Sequence, residues 1–334
     1  MGLLTDGFCA SLGMSLPLVQ APVGSATTPA LAAAVSNAGG LGMLALSWTD
    51  LEGCRIRISE TQRLTSRPFG ANLVLLWPQF DRLAICADNG VRVVSTSWGD
   101  PAPYAPLIHQ AGAVHVHMVG SAVEARRAVD AGVDAVVAQG WEAGGHVLGQ
   151  VATLPLVPAV VDAVDPVPVL AAGGIGDGRG LAAVLALGAA AGWIGTGFLL
   201  AAEADVHPAY RAQVAAAAET DTVYSVVFDG GWPAAPHRTL CNSTVLHWEA
   251  AGRATSGQRP GENEVIARSA GGSPLHRYAS ALPTRGVTGA VEAMALYAGQ
   301  GSAVVQTIAS AGDIARTLAN DAQAILERLG AQGQ

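Results

Sequence analysis

Short apolar runs rich in β-branched residues alternate with alanine-rich amphipathic stretches over the first two thirds of the chain. The runs at 16–21, 42–46, 70–75, 91–96, 113–118, 135–139, 167–171 and 192–195 have the length and continuous apolarity of strands buried on both faces. Between them, 29–38, 123–131, 155–164 and 180–187 space their apolar residues as helices with one buried stripe do. Eight strand-then-helix units predict an α/β fold, a closed (β/α)8 TIM barrel, because each parallel pair requires a right-handed crossover. An open doubly wound sheet is the alternative, and eight strands with no order reversal suit it less well. From 204 to 290 the rhythm stops, and Gly, Pro, Thr and Arg dominate. The expected organisation is a barrel over 1–203, a small substrate or lid domain over 204–290, and a segment over 291–334 that returns to the barrel. In that last segment, Ile308, Ile314, Leu318, Ile325 and Leu329 predict one helix over 303–329.

The stretch 181–202 carries no charge and includes Gly188 and Gly192 at a Gly-x-x-x-Gly spacing, which on length alone suggests a membrane helix. Gly188, Gly192, Gly195 and Gly197 instead divide it into helix, turn and strand, so no membrane association is expected. The start of the chain lacks a basic segment and carries Asp6, so no signal peptide is expected.

The net charge of −8 argues against nucleic acid or an anionic membrane as partner. All 18 basic residues are arginine. Without lysine, Schiff-base catalysis, a pyridoxal phosphate anchor and a Walker phosphate loop are excluded. Cys9, Cys54, Cys86 and Cys241 form no C-x-x-C pair and fit reduced thiols in a cytoplasmic protein.

Three segments carry candidate chemistry. The run Ala135–Gln139 opens directly into Gly140-Trp141-Glu142-Ala143-Gly144-Gly145-His146, where glycines free the backbone beside a titratable imidazole. Ala172-Gly173-Gly174-Ile175-Gly176-Asp177-Gly178 follows the seventh strand, and Gly195-Thr196-Gly197-Phe198 follows the eighth. Paired glycine turns at these positions of a barrel present backbone N–H groups to a phosphate. His115 and His117 share one side of the fifth strand, where a core role and a pocket role both stand open. Trp141, Trp232 and Tyr278 are candidate pocket walls, and Glu142 is either a surface acid or an orienter of His146.

The chain resembles the nitronate monooxygenase family, formerly 2-nitropropane dioxygenases, within a flavin-barrel superfamily that includes type II enoyl-ACP reductases and NAD(P)H:quinone reductases. The resemblance rests on Gln20-Ala21-Pro22, on Ala33 with Val35-Ser36-Asn37-Ala38-Gly39-Gly40-Leu41-Gly42, and on Phe69-Gly70-Ala71-Asn72-Leu73. It continues through the three glycine-rich segments, Ser280-Ala281-Leu282-Pro283 and Tyr297-Ala298-Gly299-Gln300-Gly301. Departures are Val23 and Gly24, where many members have Met and then Gly or Ala, and Gly301, where Ser is usual. The resemblance implies FMN as cofactor, bordered by Ala21, Pro22, Asn72, Gln139, Gly144 and Gly145. It implies a phosphate site at Gly173, Gly174, Gly195 and Thr196, and closure by Tyr297, Gly299 and Gln300. His146 would be catalytic, with His117 as a second pocket histidine.

Two reactions follow as expectations. One is FMN-dependent oxidation of an alkyl nitronate or nitroalkane by O2 to a carbonyl compound and nitrite. The other is NAD(P)H-dependent reduction of an enoyl thioester or quinone. The partners are then a small-molecule substrate and O2, with no metal, and a homodimer is compatible with the family.

Overall fold

The computed structural model describes residues 7–305 and 307–331. Eight parallel strands close into a barrel in chain order: β1 (Leu18–Gln20), β2 (Leu41–Ala45), β3 (Phe69–Val74), β4 (Val93–Ser97), β5 (Val114–Val119), β6 (Ala135–Gln139), β7 (Val169–Ala172) and β8 (Ala191–Ile194). Strand β8 pairs back onto β1, with Val19 opposite Trp193. Alternation along each strand divides its residues between two cores. Val19, Met43, Val93, Val116, Val137, Leu170 and Trp193 fill the barrel interior. Leu18, Val136 and Ala171 on one side, and Leu44, Ala71 and Val94 on another, face the surrounding helices. Burying a side chain such as Leu44 or Leu73 contributes roughly 1.5–3 kcal/mol each.

The helices begin and end where local chemistry directs. Pro29–Ala38 starts behind Thr28, whose hydroxyl accepts from the Leu31 amide, and ends at Gly39 with φ of 105°. It packs hard on β2: a Cβ at Gly42 would lie 1.9 Å from the Ala32 carbonyl oxygen, so a bare backbone is required there. The stretch 181–202 resolves into the helix Gly178–Ala186, strand β8 and the short helix Thr196–Leu199. No helix among the described residues is long and apolar enough to cross a membrane. The N-terminal reading from Asp6 lies outside the described residues.

The C-terminal helix is shorter than its apolar spacing predicts. It spans Ala311–Ala331, not 303–329. Residues Gln300–Val304 form a 3-10 turn, Ala309 bridges to Ala201, and the Ser310 hydroxyl accepts from the Asp313 amide ahead of the helix. Ile308 therefore lies off the helix and is exposed. The helix returns to the barrel wall, where a Cβ on Gly178 would come within 2.3 Å of Asp321.

Between 204 and 290 the chain forms the helices Pro208–Ala216 and Ser243–Ala250 and two small antiparallel sheets. One sheet pairs Thr222–Ser225 with His237–Leu240 and takes in a strand from a barrel loop, Gly145–His146. The other joins Val265–Arg268 to Pro274–His276 and Thr288–Gly289.

Candidate active site

At the carboxyl ends of the strands lies a cavity of about 870 Å3. Its lining contains Ala21, Pro22, Asn72, Gln139, Gly144, Gly145, His146, Gly173, Gly174, Gly195, Thr196, Tyr297 and Gly299. This is the end at which barrel function collects, and the volume falls within the roughly 300–1,000 Å3 of small-molecule sites. Two expected residues do not line it. Gln300 is not among the lining residues, although its amide donates to the Glu142 carbonyl and so ties down the loop after β6. His117 points out of the barrel, because on β5 it is Met118 that alternation sends into the cavity.

The loop after β6 is braced from several sides. The Gln139 side chain donates to the His146 carbonyl at 3.0 Å and accepts from the Leu148 amide at 2.9 Å, closing the loop on itself. Glu142 neither orients His146 nor stands free: its carboxylate accepts from the amide and hydroxyl of Thr153. Arg238, only 2% exposed, donates to the Trp141 carbonyl at 2.9 Å and lies over the Trp141 ring at 4.5 Å. Sheet pairing sets Arg238 opposite Gly145 and His237 opposite His146. Gly144 permits the loop to meet the segment at 298–299, since a Cβ there would lie 2.5 Å from the Gly299 amide. Gly145 and Gly174, with φ of 80° and 70°, have nothing closer than 3.9 Å where a Cβ would be, so the lining holds open space at both.

His146 is the cavity's imidazole. Burial, with repulsion from His237, pushes its pKa down to about 3, so the ring is neutral near pH 7. Its Nε2 is buried and has no partner among the described residues. The ring stacks on Trp232 at 3.9 Å. His237 behind it is satisfied: its Nε2 accepts from the Phe228 amide, so Nδ1 carries the proton and donates to the Ala235 carbonyl. His117 and His115 share the Thr96 hydroxyl at 2.7 and 2.8 Å, which makes them buried polar pairs of the outer layer. Burial pushes His117 down to about 4, against the opposing pull of Asp100.

Other lining groups are tied as well. The Asn72 amide donates to the Ser95 hydroxyl at 2.9 Å. The Thr196 hydroxyl accepts from the Gly299 amide at 3.0 Å. The Tyr297 hydroxyl donates to the Ser280 carbonyl, and burial raises its pKa.

Among the expected aromatic walls, Trp232 lines the cavity, whereas Trp141 and Tyr278 stack with Arg238 and Arg259 outside it. Trp48 and Trp98 also line it and were not evident from sequence, since single tryptophans after β2 and β4 belong to no periodic pattern. The arginines between 204 and 290 have other employment. Arg259 pairs with Asp229 and Glu262, Arg277 with Glu264 and Arg253 with Glu249, while Arg268 and Arg285 donate to backbone carbonyls. Of the described arginines only Arg57 lines the cavity, and it donates to the Thr27 carbonyl at 3.0 Å.

The family model described as nitronate monooxygenase matches residues 8–80 and 77–321. A nitronate monooxygenase of Paraburkholderia phytofirmans is 34% identical, over 66% of this chain and 73% of its own. A Rhodococcus jostii protein named (3aS,4S,5R,7aS)-5-hydroxy-7a-methyl-1-oxo-octahydro-1H-indene-4-carboxyl-CoA dehydrogenase is 39% identical, over 75% of this chain and 70% of its own. Among solved structures, FabK from Thermotoga maritima superposes with a TM-score of 0.83 at 33% identity, covering 96% of this chain and 97% of that one.

Proposed function

The chain belongs to the nitronate monooxygenase family, and on that premise we propose that this oxidoreductase is FMN-dependent and oxidises alkyl nitronates with O2 to a carbonyl compound and nitrite. The cavity suits the cofactor: open space at Gly145 and Gly174 is what a planar ring and a phosphate need against the backbone. Gly173, Gly174, Gly195 and Thr196 would hold the phosphate, and Ala21, Pro22, Asn72 and Gln139 would border the ring. Bound FMN would supply a two-electron acceptor that O2 can reoxidise.

The observation that carries this reading is His146. A neutral imidazole in an apolar, aromatic-walled chamber, with an unpartnered buried Nε2, suits a ligand that brings its own polar atoms. A nitronate brings two charged oxygens, and one imidazole N–H can orient them by hydrogen bonding. Depression of the pKa to about 3 makes His146 a weak base, so a preformed nitronate fits better than a neutral nitroalkane that must first lose a proton. The buried Trp232 stacked on His146 keeps water from that face of the ring and strengthens the hydrogen bond.

A second reading has support in the 39% identical relative named as a CoA dehydrogenase and in the likeness to FabK. It assigns the same cavity to a thioester substrate or a pyridine nucleotide. A pyrophosphate would want several guanidinium groups at the cavity; of the described arginines Arg57 alone lines it, and Arg253, Arg259, Arg268, Arg277 and Arg285 lie outside the lining. Aerobic incubation with propyl-2-nitronate tests the first reading. Nitrite and acetone in equal amounts are expected; their absence with flavin-loaded enzyme would contradict it.

A further inference from the structure

Four of the chain's seven tryptophans meet on one side of the cavity, each delivered by a different loop. Trp48 follows β2, Trp77 follows β3, Trp98 follows β4, and Trp232 comes from the segment after 204. The centroids of Trp48 and Trp77 lie 5.8 Å apart, those of Trp48 and Trp232 5.3 Å apart, and those of Trp98 and Trp232 5.3 Å apart. Trp98 holds φ of 58°, a left-handed conformation unfavourable to a bulky residue, and so is kept in place by its surroundings. Three of the four line the cavity, and Trp77 backs them.

The row runs from the chemistry to solvent. His146 stacks on Trp232, Trp232 meets Trp48, and Trp48 is 55% exposed although it lines the cavity and is held by two ring contacts. A large apolar ring fixed by neighbours and left open on one face is a stacking surface. A short-chain nitronate held at His146 would leave that surface wet.

Deepening the reading under "Proposed function", on which it rests, we propose that the substrate carries a flat apolar ring. The reacting anion would sit at His146, with the ring against Trp232 and Trp48. Trp48 is then a specificity-determining residue. Ring-on-ring contact adds to what the same apolar area gains from burial alone, so a ring is favoured over a chain of similar size.

The test uses intrinsic tryptophan fluorescence of the purified holoenzyme, titrated with benzoate and with heptanoate, a chain of the same carbon number. Both carry a planar O–C–O anion that matches the O–N–O of a nitronate. Benzoate is expected to bind with a Kd about tenfold below that of heptanoate. Trp48→Ala should erase the preference and Trp48→Phe should keep most of it. In stopped-flow flavin reduction, kred/Kd should favour the nitronate of phenylnitromethane over that of 1-nitroheptane by a similar factor. Equal Kd values for the two anions, or a ring preference unchanged in Trp48→Ala, would overturn the proposal. Should the ring preference hold in binding while neither nitronate reduces the flavin, the substrate class stands and the reaction assigned above falls.

Discussion

The loop histidine His146 and the strand histidine His117 look alike in the sequence, and alternation separates them. The cavity receives Met118 from β5, while His117 shares the Thr96 hydroxyl with His115 on the outer face. His146→Ala should therefore keep the fold and the flavin while the rate of flavin reduction by nitronate falls about 10²–10³-fold, the loss typical of a missing oxyanion donor. Activity within a few-fold of wild type would reduce His146 to a loop residue. Because its pKa lies near 3, no ionisation of His146 should shape the free-enzyme rate profile between pH 5 and 8. The residues least legible in the sequence were Trp48 and Trp98: nothing in their spacing says that they converge on Trp232, since the three meet only after the barrel closes and the segment after 204 folds over it.

At the scale of elements, the sequence spoke clearly wherever burial is two-sided. All eight barrel strands fall within a few residues of their apolar runs, because parallel strands covered by helices must be apolar throughout. It was silent on Gly145–His146, a two-residue strand whose pairing with His237 and Arg238 depends on a partner about 90 residues away. It misled at the last helix, where the spacing of Ile308 mimicked a helical face that Ala309 and Ser310 interrupt. The glycine turn after β7 was legible because positive φ at Gly173 and Gly174 leaves few other choices. Gly174 combines φ of 70° with open space at its Cβ position. Gly174→Leu should fold yet purify with at least tenfold less flavin, measured as the ratio of flavin to protein absorbance. Full flavin content would show that the turn after β7 is not the phosphate cradle.

For the molecule as a whole, the buried His115, His117 and His237 and the partly buried His146 are held neutral. Burial lowers His115 to about 3, His117 to about 4 and His146 to about 3, with His237 lowered as well. Unfolding returns each to an ordinary value near 6.5, so the unfolded chain binds more protons as the medium acidifies. Their contribution to stability is complete above about pH 6.5 and is lost as pH falls toward 4 and 3. His115, His117 and His146 each then remove up to about 1.4 kcal/mol per pH unit within that window, and His237 acts in the same direction. Urea midpoints should fall markedly between pH 7 and pH 5, before most carboxylates titrate; an unchanged midpoint would contradict the burial of these rings as neutral groups. The proposed reaction takes its electrons from the nitronate itself. The cavity holds a neutral imidazole and tryptophans, and among the described residues a single arginine, Arg57, reaches its lining. Anaerobic stopped-flow mixing of the flavin-loaded enzyme with propyl-2-nitronate, and separately with NADH or NADPH, tests this most directly. Rapid bleaching of the flavin by the nitronate, with slow or negligible bleaching by either nucleotide, is the expected result. Rapid reduction by NADH at submillimolar concentration, with none by nitronate, would contradict it.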